Sequence, residues 1–140
     1  MLELIEHELD RHRADPANVV FEITETAAMQ NLDRAQQCAE RLVALGCGLA
    51  LDDFGTGFAS FTYLARLPFR YLKIDIEFVR NLARNPHHRS IVKAIVALAG
   101  DFGQQTIAEG VEDERTADIL RDLGVTCAQG YLFGRPASIW

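Results

Sequence analysis

The sequence predicts a parallel α/β domain, and three observations carry that prediction. Short runs of apolar and β-branched residues alternate with segments whose apolar positions recur every three or four residues. Asp15-Pro16, Gly46, Pro68 and Asn85-Pro86 punctuate the junctions. Polar residues that an apolar core would not choose fall in the C-terminal half of each short run or just beyond it, on the side where parallel α/β sheets place their active sites.

Leu2, Ile5 and Leu9 keep a helical spacing before Asp15-Pro16, and Val19 to Ile23 then reads as a strand. Leu32, Ala35, Ala39, Leu42 and Leu45 return to a period of about 3.6, and Gly46 stands where that helix would stop. Gly48 to Asp52 is the second predicted strand. After Asp53-Phe54-Gly55-Thr56-Gly57, a short helix over Ser60 to Leu67 ends at Pro68, which brings no amide hydrogen. Tyr71 to Asp75 is the third strand, Ser90 to Phe102 an apolar-striped helix, Thr106 to Glu109 the fourth strand, Glu114 to Leu123 a helix and Cys127 to Phe133 the fifth strand.

A chain of 140 residues, 49% hydrophobic and 24% charged, fits one globular domain and excludes disorder as its default. Fourteen basic against twenty acidic side chains give a net charge of -6, which repels a phosphate backbone and argues against nonspecific DNA binding. The acidic, amphipathic N-terminus lacks the pattern of a signal peptide, and charge interrupts every apolar segment well before ~18 residues, so a cytoplasmic location with no membrane segment is expected. Cys38, Cys47 and Cys127 are odd in number and widely spaced, and read as reduced core thiols. His7, His12, His87 and His88 lie in polar segments and read as solvated.

The strand-end polar residues are Glu22 and Glu25, Asp52 and Asp53, Lys73 and Asp75, Glu109 and Glu112, and Gln129. Each alone has a structural reading as a turn, capping or snorkelling group. Together they imply a converging acidic cluster. Two carboxylates ~4 Å apart repel by ~4 kcal/mol at an effective dielectric of 20, and Lys73 is the sole cation among the nine. A hard divalent cation, Mg²⁺ or Mn²⁺, is the economical counter-charge, and adjacent Asp52 and Asp53 suit a two-metal centre. The glycines at 55 and 57 follow acids rather than open a helix after the first strand, which weighs against a dinucleotide-binding fold.

Five blocks resemble those of the EAL domains, the cyclic-di-GMP phosphodiesterases of bacterial signal transduction: Phe21-Glu22-Ile23-Thr24-Glu25, Leu51 to Gly57, Leu72-Lys73-Ile74-Asp75, Ala108-Glu109-Gly110-Val111-Glu112 and Gln129 to Gly134. The resemblance runs over essentially the whole chain. It implies a TIM-like (β/α) barrel, two Mg²⁺ or Mn²⁺ ions, and hydrolysis of one phosphodiester of cyclic-di-GMP to the linear dinucleotide. It implies Glu22, Asp52 and Asp53 as metal ligands, with Asp52 bridging, and Lys73 as the residue that orients the attacking water. Glu109 would be general base or metal-linked acid and Glu25 the brace of the loop at Gly55, with Asp75, Glu112 and Gln129 supporting the site or the substrate.

Two departures qualify the resemblance. The name-giving Glu-Ala-Leu segment and an asparagine ligand before Glu22 are absent, and a full barrel takes ~250 residues. The expectation is therefore residues 1–140 as a truncated EAL domain, the C-terminal portion of an incomplete barrel with about five parallel strands. Its first strand would expose an edge, to be covered by a second copy or by the missing N-terminal part. A catalytically inactive EAL-like module that binds cyclic-di-GMP or a protein is the alternative function. Phe58-Ala59 stands where the family has tyrosine-serine, and Arg70 where an acid is common.

Overall fold

The computed structural model describes residues 2–55 and 62–137. Thr56 to Ala59 and the expected helix start at Ser60 lie outside the described residues. The chain divides into two compact units, Met1–Tyr71 and Leu72–Trp140.

In the first unit, helix α1 (Leu2–His12) and a 3-10 turn (Pro16–Asn18) lead into strand β1 (Val20–Thr24). Helices α2 (Glu25–Gln30) and α3 (Leu32–Ala44) follow, then β2 (Gly48–Phe54) and α4 (Thr62–Arg66). β1 and β2 pair in parallel, with Val20 opposite Gly48 and Thr24 opposite Asp52. Leu49, Ala50 and Leu51 have no exposed surface, as a strand covered on both faces requires, and this is why β2 reads as a continuous apolar run. β1 instead alternates, with Val20, Glu22 and Thr24 exposed.

Helix α2 was not foreseen, because Glu25-Thr26-Ala27-Ala28-Met29-Gln30 carries no apolar stripe. Caps specify it instead. The Thr24 hydroxyl accepts the Ala27 N–H, and Asn31 Oδ1 accepts the Arg34 N–H to start α3. Glu25 is consequently the first residue of a helix rather than a strand-end residue.

The second unit runs from β3 (Tyr71–Ile74, entering at Leu72) through α5 (Ile76–Val79), α6 (Pro86–Asp101), β4 (Gln105–Ala108) and α7 (Glu114–Asp122) to β5 (Cys127–Ala128). β4 and β5 are parallel, with Ile107 opposite Cys127. Helix α6 begins at Pro86, ahead of the expected Ser90, because Asn85 Oδ1 accepts the N–H groups of His87 and His88 and proline fits the first helical position. Asp75 is not a strand residue. It caps the unforeseen α5, its Oδ1 accepting the Glu77 N–H at 2.7 Å.

The fifth strand is two residues long instead of the seven expected. Beyond Ala128 the backbone turns at Gly130, φ +154. Val111 takes over the pairing, donating its N–H to the Gln129 carbonyl and accepting the Leu132 N–H. The apolar residues after Gly130 thus follow a turn, and Tyr131 and Phe133 are exposed. Of the cysteines only Cys47 is buried, which pushes its thiol up, whereas Cys127 is exposed and not a core residue. No helix among the described residues is long and apolar enough to cross a membrane.

Asp113 caps α7, accepting the Thr116 N–H and O–H at 2.9 Å each. The Thr116 bonds hold its carboxyl below the usual range. A depressed folded value gives stability that is present above the ordinary aspartate value of about 4 and lost as pH falls through the folded value. Asp113→Asn keeps a neutral cap without that titration. Thermal melts at pH values from about 7 down to about 2 are expected to show a shallower acid-side decline in the variant; parallel declines would contradict the assignment.

Candidate active site

In the first unit, parallel register places Thr24 beside Asp52 and Glu22 beside Ala50. Alternation then puts Glu22 and Asp52 on one face of the β1–β2 pair. A regular strand would send Asp53 to the opposite face. Asp53 instead has φ +58, the left-handed region that aspartate tolerates better than most residues. The strand alternation ends there, with the Asp53 N–H donating to Asp52 Oδ1 at 3.0 Å.

Glu25, 3% exposed, reaches the backbone just after this pair: Oε2 accepts the Gly55 N–H at 3.2 Å. Its other oxygen is buried and has no hydrogen-bond partner among the described residues, and the same holds for the hydroxyl of Tyr63, 2% exposed on α4. Burial, and then the Glu25 carboxylate beside it, push the Tyr63 phenol up. Nothing in the sequence marks Tyr63, which reads as one more apolar position of a short helix.

In the second unit, Lys73 on β3 is 3% exposed and its Nζ lies 2.8 Å from Glu109 Oε1, just beyond β4. Gln129 Nε2 donates to the same oxygen at 2.9 Å. The structure thus joins three of the nine foreseen residues directly, and leaves Oε2 of Glu109 without a hydrogen-bond partner among the described residues. Glu112 is exposed. It lines a cavity of about 510 Å³ with Glu109 and Gln129.

The EAL domain profile matches residues 1–136. The chain belongs to the EAL domain family. It is 41% identical over 136 residues to the bifunctional diguanylate cyclase/cyclic di-GMP phosphodiesterase MucR of Pseudomonas aeruginosa, covering 97% of this chain and 20% of that protein. The structure of the MucR phosphodiesterase in complex with c-di-GMP superposes with a TM-score of 0.92 at 40% identity, over 99% of this chain and 56% of that one. The manganese/cy-diGMP complex of Klebsiella pneumoniae BlrP1 superposes with a TM-score of 0.89 at 31% identity, over 97% of this chain and 35% of that one. This chain therefore spans about a fifth of the length of MucR and a little over half of its solved phosphodiesterase. The fold class, parallel strands alternating with helices as in a TIM-like (β/α) barrel, is that of these EAL neighbours.

Glycine shapes the second half of this EAL site. A Cβ on Gly130 would lie 2.3 Å from the backbone N and O of Val111, and one on Gly110, at φ +67, 2.3 Å from an Ile76 side-chain carbon. Gly130→Ala is expected to destabilise by ~1–3 kcal/mol and to displace the neighbouring Gln129 from Glu109. Gly100→Ala on α6, where a Cβ meets nothing within 4 Å, is the control and should be neutral or stabilising by up to ~1 kcal/mol. Urea titrations of the two variants check both values.

Proposed function

We propose that this EAL chain supplies most of the catalytic face of a cyclic-di-GMP phosphodiesterase that opens one phosphodiester to give the linear dinucleotide, using Mg²⁺ or Mn²⁺. The observation that carries the proposal is the buried Lys73 paired with Glu109, whose carboxylate Gln129 also holds. A lysine so buried needs its partner. The family membership and the printed activity of MucR supply the reaction class.

The donors fit the metals proposed. Glu22, Asp52 and Asp53 would hold the ions, Asp52 bridging, and all three offer the carboxylate oxygens that hard cations prefer. When bound, two such ions acidify water and neutralise charge developing at phosphorus. Lys73 orients the attacking water, and its pairing with Glu109 Oε1 directs Oε2 of that carboxylate toward the water proton. As the water oxygen bonds to phosphorus, its proton passes to Glu109, the bond to the leaving ribose oxygen breaks, and that oxygen takes up a proton from solvent to become the free hydroxyl of the linear dinucleotide. Gln129 fixes the Glu109 rotamer, while Asp75 fixes the chain leaving β3. Glu25 braces Gly55 and so the backbone carrying Asp52 and Asp53. Glu112 accepts substrate hydrogen bonds.

We further propose that residues 1–140 are the C-terminal portion of an EAL barrel working in the cytoplasm, with the exposed β1 edge covered by a second copy or by further barrel strands. The test of function uses the natural full-length protein with cyclic-di-GMP. Linear dinucleotide is expected only with added Mg²⁺ or Mn²⁺ and should cease on chelation. Tight binding without cleavage would instead make the chain a noncatalytic cyclic-di-GMP receptor.

A further inference from the structure

Arg80 closes the C-terminus of α5 in the second unit. It lines the cavity of about 510 Å³ shared with Glu109 and Gln129, and also a second cavity of about 330 Å³. Glu112 and Gly110 line both as well, so Arg80 and Glu112 belong to the wall between them. Arg80 is exposed, and its guanidinium has no ion pair or hydrogen bond among the described residues. Arg66, Arg89 and Arg121 are by contrast engaged by carboxylates or carbonyls. The residues lining the first cavity therefore include an arginine with an uncommitted fork of N–H donors, the acids Glu109 and Glu112, and the half-exposed Tyr131.

That combination discriminates among ligand groups. A phosphate would meet Arg80 but also the negative charges of Glu112 and Glu109. An apolar group would leave both Arg80 and Glu112 without partners. Guanine suits both at once: its O6 and N7 accept from a guanidinium, and its N1–H and N2–H₂ donate to a carboxylate. Adenine turns an N6–H₂ donor toward the same guanidinium, so two donors face each other. Tyr131, 55% exposed, has Arg135 over its ring at 5.0 Å, and offers the edge of a flat apolar wall to a base.

We propose that Arg80 is a specificity-determining residue that reads the O6/N7 edge of one guanine of the dinucleotide, opposite Glu112. The proposal rests on the phosphodiesterase reading and adds to it a base-selective contact away from the reacting phosphorus. Because the contact is made alike before and during reaction, its loss raises KM and leaves kcat in place.

The experiment compares full-length wild type with Arg80→Gln and Arg80→Lys on cyclic-di-GMP and cyclic-di-AMP. A good bidentate pair discriminates by about ten- to a hundredfold. The wild-type preference in kcat/KM for the guanine substrate should narrow by about that factor in Arg80→Gln, through KM. Arg80→Lys, a point charge without the fork, should restore little of it. Melting temperatures should match, since the side chain is exposed and has no partner to lose. An unchanged preference overturns the proposal, and so does an equal loss for both dinucleotides, which would mark Arg80 as a phosphate contact. If wild type cleaves neither dinucleotide, the phosphodiesterase reading fails separately. The preference is then read from calorimetric affinities, where equal ratios in wild type and variant overturn the role of Arg80.

Discussion

Asp52→Asn is expected to lower cyclic-di-GMP cleavage by at least ~10²–10³-fold, the loss seen when one preorganised electrostatic group is removed from a reaction centre. Fold should not suffer. Asparagine keeps an oxygen that can accept the Asp53 N–H, the bond now made at 3.0 Å, and the shape of the side chain is preserved in a half-buried position of β2. Metal-free melts of variant and wild type report how far the fold itself depends on the Asp52 charge. Product formation across a Mn²⁺ titration, beside metal-free melts, separates the two effects. Cleavage near the wild-type rate would remove Asp52 from the bridging position, and a collapse in melting temperature would make it a structural residue.

Lys73→Met should cost both activity and stability. Lys73 is almost wholly buried and Glu109 keeps 19% of its side chain exposed, so the loss falls toward the lower end of the ~3–5 kcal/mol that follows removal of one partner of a buried pair. The cause is the stranded Glu109 carboxylate, not the loss of attraction alone. Adding Glu109→Gln should therefore recover part of the stability and none of the activity. Urea unfolding of the single and double variants tests this; additive losses would show that the pair is not coupled in the folded state.

Much of this site was legible from residue order. Lys73, Glu109 and Gln129 lie 36 and 20 positions apart in the numbering, yet their placement at the ends of successive apolar runs foretold that they meet, and they do. Parallel strands connected by helices bring equivalent ends to one side, so an interrupted apolar pattern carries positional information. The strand ends themselves were less legible. Asp75 looked like the last residue of a strand and is a helix cap, because capping depends on a backbone turn that a four-residue helix barely announces. Glu25 was foreseen as a brace, but not as the first residue of a helix with one oxygen left beside Tyr63.

The fifth strand shows the same division from the other side. Cys127 to Phe133 has strand composition, yet pairing stops after Ala128, where Gly130 packs against the Val111 backbone too closely for any side chain. Local propensity has no access to a contact made across some twenty residues. Residue order by itself determined the α/β class, the alternation of elements and the identity of the charged groups, because hydrophobic period and strand-end polarity are local properties of the chain. Only the tertiary structure decided which oxygen of Glu109 is held, that Asp53 adopts a left-handed backbone, and that Arg80 lines one cavity with Glu112, its guanidinium having no partner among the described residues. These depend on side chains and backbone brought together from distant positions, where packing and electrostatics override the preferences of each segment.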